Sequence, residues 1–124
     1  MRRRPGHRIL STLSLGLAAV ALTVSGGVSS AATVPGHIFA VPGSASAGYA
    51  NRIVVILKGS PVQFHNLDVA PHNVWSVAPG KFKSATIGLG KTTKVIGTEA
   101  LARGNYAFYC TIHPGTMRGN LIVK

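Results

Sequence analysis

From residue 33 onward, short apolar runs alternate with turns rich in Gly, Pro, Ser and Asn. An edge strand is predicted at Ile38–Val41, followed by a loop to residue 50. Two β-rich runs, Ile53–Leu57 and Val62–Asn66, are joined by the turn signal "KGSP". Further strands are predicted in "HNVWSVA", "SATIGLG", "TTKVIG", "NYAFYC" and "GNLIVK", and "EALARG" is the only helix-like stretch, one turn at most. Seven to eight short strands at regular spacing predict an all-β sandwich.

Alternation within "NYAFYC" predicts where its side chains point. Tyr106, Phe108 and Cys110 share one face of the strand, and Ala107 and Tyr109 share the other. Because Phe108 is the best core candidate of the segment, we expect Cys110 to point inward at the end of its strand. The predicted core also contains Val54, Ile56, Val62, Phe64 and Val74.

Residues 1–32 are predicted to be a cleaved export signal. They hold four arginines within eight residues, a sixteen-residue apolar run, and then small residues. The alternative is a membrane anchor, but a span needs ~20 mostly apolar residues. We expect cleavage after Ala32, with Ala31 as the alternative, and no stable membrane span after it. The mature domain is then residues 33–124, in the periplasm, on the cell surface or outside the cell.

The chain is strongly basic, with 13 Lys and Arg against 2 acids. The signal removes four arginines, which leaves a net charge of about +7 on the mature domain. The basic residues are scattered and form no recognition motif, so nucleic-acid binding is not expected. A net positive charge of this size predicts instead that the docking face of a protein partner is acidic.

Cys110 is the single cysteine and cannot form an internal disulfide. Small exported domains often compensate for a small core with disulfides or a metal, so metal becomes the leading explanation. His72, Cys110, His113 and Met117 together offer two imidazoles, a thiolate and a thioether. Two His and one Cys with a weak axial Met suit a type 1 copper that exchanges one electron between Cu(I) and Cu(II).

These residues also allow other interpretations. Cys110 alone could be a small buried hydrophobe, and Met117 alone a core residue. A Cys110–His113 nucleophilic pair would lack an orienting group and an oxyanion loop. Zinc seldom takes a thioether, a dinuclear copper centre needs a second cysteine, and covalent haem needs Cys-x-x-Cys-His. His37 and His65 are predicted to be ordinary strand histidines, with His65 exposed.

The segments "APHNV" and "NYAFYCTIHPGTMRGNLIV" resemble the cupredoxins, specifically the plastocyanin and amicyanin branch. The shared pattern F-x-N-x-D-x-x-P-H-N-V runs from Phe64 to Val74, and the resemblance extends over residues 53–124. One departure is the loop length: three residues separate His113 from Met117, where plastocyanins usually have four and amicyanins two.

The resemblance implies a Greek-key β-sandwich with copper ligands at His72, Cys110, His113 and Met117. It also implies that Asn73 braces the ligand loop and that His113 reaches the surface as the electron exit, with Tyr109 as a competing route. We therefore expect an exported, monomeric, mononuclear electron carrier that is not an enzyme.

Two alternatives to electron transfer stay open from the sequence. A protein that holds or delivers copper would use the same ligands without a dedicated redox partner. A structural surface domain would keep the fold and bind no stoichiometric metal.

Overall fold

The computed structural model describes residues 33–124, so the predicted export signal at residues 1–32 lies outside the described part. Seven strands occur in this part: β1 (Gly36–Ala40), β2 (Ile53–Ile56), β3 (Val62–Asn66), β4 (Trp75–Ser76), β5 (Lys91–Lys94), β6 (Gly104–Tyr109) and β7 (Arg118–Val123). A four-residue helix, α1, spans Ser44–Ala47, and a 3-10 turn spans Thr98–Ala100.

The strands form two sheets, which confirms the predicted β-sandwich. Sheet I has the order β1-β3-β5, and sheet II has the order β2-β7-β6-β4. β1 runs parallel to β3, and β2 runs parallel to β7, while the remaining pairs are antiparallel. β2 and β3 lie in different sheets, so the turn between them carries the chain across the sandwich.

The core lies between the inner faces of the two sheets. The predicted core residues are all buried: Val54, Ile56, Val62, Phe64, Val74 and Phe108. Tyr49, which follows α1, makes edge contacts with Phe64 of sheet I at 6.2 Å and with Phe108 of sheet II at 5.3 Å between ring centroids. One aromatic ring therefore joins the two sheets.

The expected strand in "SATIGLG" was wrong. Only Ile87 pairs there, in a single bridge with His72. Gly90 adopts a left-handed backbone with φ of 76°, and its N–H donates to the Asn66 carbonyl, which turns the chain directly into β5. The segment is thus a turn that holds His72 rather than a strand.

The stretch after β1 was predicted to be a loop, and it contains α1. The Ser44 hydroxyl accepts a hydrogen bond from the Val41 N–H just before the helix begins. The helical turn predicted in "EALARG" is present as the 3-10 turn, which begins one residue earlier than that segment. Within residues 33–124, no helix has the length and apolar character needed to cross a membrane.

Candidate metal centre

Three donor side chains meet at one end of the sandwich. His72 lies between β3 and β4, Cys110 directly follows β6, and His113 lies in the loop that leads to β7. The Cys110 Sγ is 4.0 Å from the His72 Nδ1 and 3.7 Å from the His113 Nδ1. The two Nδ1 atoms are 3.2 Å apart. Two loops that are distant in sequence therefore bring one sulfur and two ring nitrogens together.

This site is enclosed on the protein side. His72 and Cys110 have no exposed surface, whereas His113 is partly exposed. The backbone of His72 is fixed in both directions, because its N–H donates to the Ile87 carbonyl and its carbonyl accepts from the Ile87 N–H. The alternation in β6 placed Cys110 correctly, pointing inward beside Phe108.

The loop from Cys110 to Met117 folds back on itself through backbone hydrogen bonds. The Cys110 N–H donates to the Met117 carbonyl at 3.0 Å, and the Met117 N–H donates to the His113 carbonyl at 3.0 Å. This pairing returns Met117 to the side of Cys110. The Met117 side chain is fully buried, so the predicted fourth ligand is out of solvent and its backbone is paired with that of Cys110.

Asn73 links the two loops that carry the donors. Its Oδ1 accepts from the Thr111 N–H at 2.9 Å, and its Nδ2 donates to the hydroxyls of Thr111 at 2.7 Å and Thr86 at 2.9 Å. The Asn73 carbonyl accepts from the Tyr49 hydroxyl. Burial, with a smaller contribution from Cys110, raises the pKa of Tyr49 far above its usual value, so this hydroxyl remains a donor. Asn73 thus holds the loop beginning at Cys110 against the segment carrying His72.

Asp68 fixes the other side of the His72 ring. Its Oδ2 is 2.7 Å from the His72 Nε2, and its Oδ1 accepts from the Val69 N–H at 2.9 Å. The hydrogen bond from His72 lowers the pKa of Asp68, and backbone donors from Gly43 and Val69 act in the same direction against the opposing effect of burial. A carboxylate that accepts from Nε2 leaves Nδ1 unprotonated and directed at the site.

The separations between the donors fit a first-row transition metal ion. Ring nitrogen lies ~2.0 Å and thiolate sulfur ~2.3 Å from such an ion, so bond angles of ~100–130° require about 3.1–3.6 Å between nitrogens and about 3.3–3.9 Å between nitrogen and sulfur. The observed distances of 3.2, 3.7 and 4.0 Å lie within or close to these ranges. The donor types, two imidazoles and one thiol beside a buried thioether, are those that copper accepts in both oxidation states.

Two side chains at or beside the donors reach the surface, those of His113 and Tyr109. The partly exposed His113 lies between Ile112, which is half exposed, and the exposed Pro114. Tyr109 is partly exposed and lines a groove on sheet II together with Trp75 and Lys83. Arg118 places a positive charge near His113, since its Nε donates to the Pro114 carbonyl at 2.7 Å.

Sequence reasoning missed the roles of Asp68 and Thr111. Asp68 is one of the two acids in the chain and stands four residues before His72, a signal that could have identified it. Thr111 offered no such signal, because its hydrogen bonds to Asn73 join positions 38 residues apart.

Comparisons with known proteins match this chain to copper-binding proteins. The family model "Copper binding proteins, plastocyanin/azurin family" matches residues 40–124. The structure is similar to a novel purple cupredoxin from Nitrosopumilus maritimus, with a TM-score of 0.60 and 24% identity over 71% of this chain and 98% of that one. It is also similar to a reduced variant of amicyanin, with a TM-score of 0.57 and 22% identity over 71% of this chain and 80% of that one.

These structural likenesses establish a shared fold. A search of curated protein sequences finds no match. The family model spans more than half of the chain and includes every donor residue described above. The chain therefore belongs to the copper-binding plastocyanin/azurin family, the cupredoxins.

Proposed function

We propose that His72, Cys110, His113 and Met117 hold one copper ion and that the protein carries single electrons between redox partners. The observation that carries this proposal is the convergence of two imidazole nitrogens and one thiol sulfur within 4.8 Å of one another. When bound, copper supplies one-electron exchange between Cu(I) and Cu(II). Members of the family are generally electron-transfer proteins.

The protein's own residues contribute rigidity. Asp68 orients the His72 ring from one side. Asn73, the residue after His72, ties this segment to the loop that begins at Cys110. Both contacts involve buried groups, so moving either donor would leave polar atoms without partners. A site held in this way changes little in shape when its charge changes by one, which favours rapid electron exchange.

Burial distinguishes electron transfer from copper delivery. Handing an ion to an acceptor requires donors that the acceptor can reach, yet His72, Cys110 and Met117 have no exposed surface. Only His113 is partly exposed. An electron can leave through the edge of His113 without any donor moving, so this arrangement favours electron transfer over delivery of the ion.

We propose further that the partner is a redox protein with an acidic face. The groove that Tyr109 lines also contains Lys81 and Lys83, so positive charge accompanies the Tyr109 path. The His113 path emerges among apolar side chains such as Ile112 and Pro114. Redox encounters are small and depend on electrostatic steering, which makes the lysine-lined groove the more salt-sensitive of the two routes.

A charge reversal tests the steering. Lys83→Glu should slow electron transfer to an acidic redox protein, and added salt should shrink the difference from wild type as the Debye length falls from ~10 Å at 0.1 M to ~3 Å at 1 M. Lys58→Glu makes the same charge change at the end of β2, opposite the ligand loop, and is the control. Equal slowing in both variants would mean that the net charge of the protein controls the electron-transfer rate, and not the position of the charge in the groove.

Export and a monomeric state are part of the same proposal. The basic and apolar pattern of residues 1–32 supports export, as does the usual location of this family. Mass spectrometry of the exported protein should find Thr33 at its N-terminus.

The visible absorption spectrum tests the proposed centre. A thiolate bound to Cu(II) gives an intense visible charge-transfer band, so the oxidised, copper-loaded protein should be strongly coloured. Cys110→Ser should abolish the band, whereas Ser84→Ala, which alters a buried hydroxyl among the strands, should retain it. Wild-type protein that binds one Cu(II) and stays colourless would refute a thiolate-bound copper.

A further inference from the structure

A second pair of histidines lies on the outer face of sheet I. His37 is on β1 and His65 is on the neighbouring strand β3. The two strands are parallel, with His37 opposite Gln63 and Phe39 opposite His65. The two histidines are therefore diagonal neighbours on one face, and the His37 Nδ1 is 2.9 Å from the His65 Nε2.

The ring of His65 is fixed by its surroundings. It stacks on Phe39 with 4.6 Å between ring centroids and 15° between ring planes. Its Nδ1 is 3.0 Å from the hydroxyl oxygen of Thr92 on β5. With the proton on Nδ1 and donated to Thr92, the lone pair of Nε2 points at His37. This is how the second nitrogen of a metal-binding histidine is usually arranged.

The backbone that carries His37 is also held in place. Asn51 Oδ1 accepts from the Phe39 N–H at 2.9 Å, and Asn51 Nδ2 donates to the His37 carbonyl. β1 is an edge strand of sheet I, and Asn51 occupies part of its unpaired edge. The two imidazoles are thus presented from fixed strands, with His37 exposed to solvent.

The charges around the pair permit a bound cation. Lys94 is opposite Gln63 on β5 and shares the outer face, but it forms an ion pair with Glu99. Burial, and then the proximity of His37, lower the pKa of His65. A neutral His65 keeps its lone pair available at neutral pH.

We propose that His37 and His65 form a second, surface site for a divalent transition metal ion, with Cu(II) as the preferred ion. Two nitrogens 2.9 Å apart match neighbouring positions at a right angle around an ion with ligands at ~2.0 Å, for which the separation is ~2.8 Å. Two imidazoles completed by water make a tetragonal N,O environment, which suits Cu(II) or Ni(II). Cu(II) binds such ligands more tightly than Zn(II).

This site is independent of the proposed copper centre. It shares no residue with His72, Cys110, His113 or Met117, and it offers no sulfur donor. An ion there would be accessible to solvent and would lack the thiolate colour. Metal bound at His37 and His65 is therefore distinguishable from metal at the buried centre whether or not that centre takes copper.

Titration of the full chain with Cu(II) tests the site. After one equivalent of copper is loaded, a further equivalent should bind and give a tetragonal, nitrogen-ligated electron paramagnetic resonance signal. His37→Gln and His65→Gln should each lose this signal and reduce the bound copper by one ion per chain. Asn105→Ala changes an exposed side chain on sheet II, away from both histidine pairs, and should retain the signal.

A positioning variant sharpens the assignment. Thr92→Val removes the acceptor from the His65 Nδ1 and should weaken binding of the added Cu(II) about tenfold, whereas Thr92→Ser should retain it. His37 is exposed, so its replacement leaves the core intact, and an unchanged melting temperature of the variant verifies this.

Three outcomes would overturn the proposal. The first is that the wild-type chain gives no tetragonal, nitrogen-ligated signal at any stage of the titration. The second is a signal that survives in both His37→Gln and His65→Gln, and the third is a signal that Asn105→Ala loses to the same extent as the histidine variants.

Discussion

Two pairs of histidines in this molecule have similar distances between their ring nitrogens but different surroundings. The Nδ1 atoms of His72 and His113 are 3.2 Å apart, and the facing nitrogens of His37 and His65 are 2.9 Å apart. The first pair is largely buried beside Cys110 and lies between loops, whereas the second lies on regular strands and faces solvent.

The comparison shows that proximity of imidazoles alone does not define a redox centre. His72 is oriented by a carboxylate, tied through its neighbour Asn73 to the opposite loop, and placed 4.0 Å from a sulfur. His65 is oriented by a threonine hydroxyl and an aromatic ring, with no sulfur nearby. The proposed electron exchange needs both the donors and the rigidity of the buried pair, whereas the proposed surface site needs only donors that can bind an ion.

The largest effect is expected from removing the carboxylate behind the buried pair. Asp68→Ala leaves the His72 Nε2 without its acceptor and should lower copper affinity about 10–100-fold, the usual cost of losing a partner of a metal-bound histidine. Asp68→Asn keeps an oxygen acceptor and should cost less. Competition with a chelator of known affinity measures both. Equal affinity in Asp68→Ala and wild type would show that the ring is held by packing alone.

Asn73→Ala should separate the two loops that the buried pair depends on. It removes three hydrogen bonds made by a buried amide, so unfolding of the copper-free protein should become easier by about 1–3 kcal/mol. Denaturant titration measures this change. Asn105→Ala, at an exposed position of β6, is the control and should stay near wild type. A similar loss in both variants would argue against a specific role for Asn73.

Met117→Leu tests the fourth proposed ligand, which the surface pair does not have. The variant should retain copper and colour, while its reduction potential should rise by roughly 50 mV. A tenfold loss in the affinity of the site for Cu(II) relative to Cu(I) corresponds to about 59 mV for one electron. The oxidised state loses more than the reduced state when a donor is removed. Protein-film voltammetry gives the potential, and an unchanged value would make Met117 a core residue only.

The smallest effect concerns protonation of the surface pair. The pKa of His65 is lowered in the folded protein, so the unfolded chain binds a proton at a higher pH than the folded chain does. The contribution of His65 to stability is therefore complete above the unfolded pKa of about 6.5, and it falls as pH decreases from there toward the lowered folded pKa. His65→Gln should show a shallower loss of melting temperature between pH 7 and pH 5. Parallel curves would contradict this.

The copper-free protein is expected to fold, because its core does not depend on metal. Val62, Phe64 and Phe108 are fully buried between the sheets, and Tyr49 joins the two layers. Copper that binds only the folded state should raise the melting temperature.

Much of the architecture was readable from the sequence because it depends on local patterns. Alternation along β6 placed Phe108 and Cys110 on the inner face, and the apolar runs located β2 and β3 closely. The single cysteine and the spacing to His113 and Met117 identified the candidate donors. These signals are periodic or compositional, so they need no knowledge of which strands pair.

The features that the sequence does not predict depend on contacts between residues that are far apart along the chain. The segment around Ile87 has the composition of a strand, yet Gly90 turns it and leaves only the bridge that holds His72. The roles of Asp68 and Thr111 follow from where folding places them beside His72 and Asn73. The sequence predicts His37 and His65 to be ordinary strand histidines, 28 residues apart, and only the parallel register of β1 and β3 brings their rings together. Strand pairing across the sheet decides such contacts, and the alternation within a single strand carries no information about it.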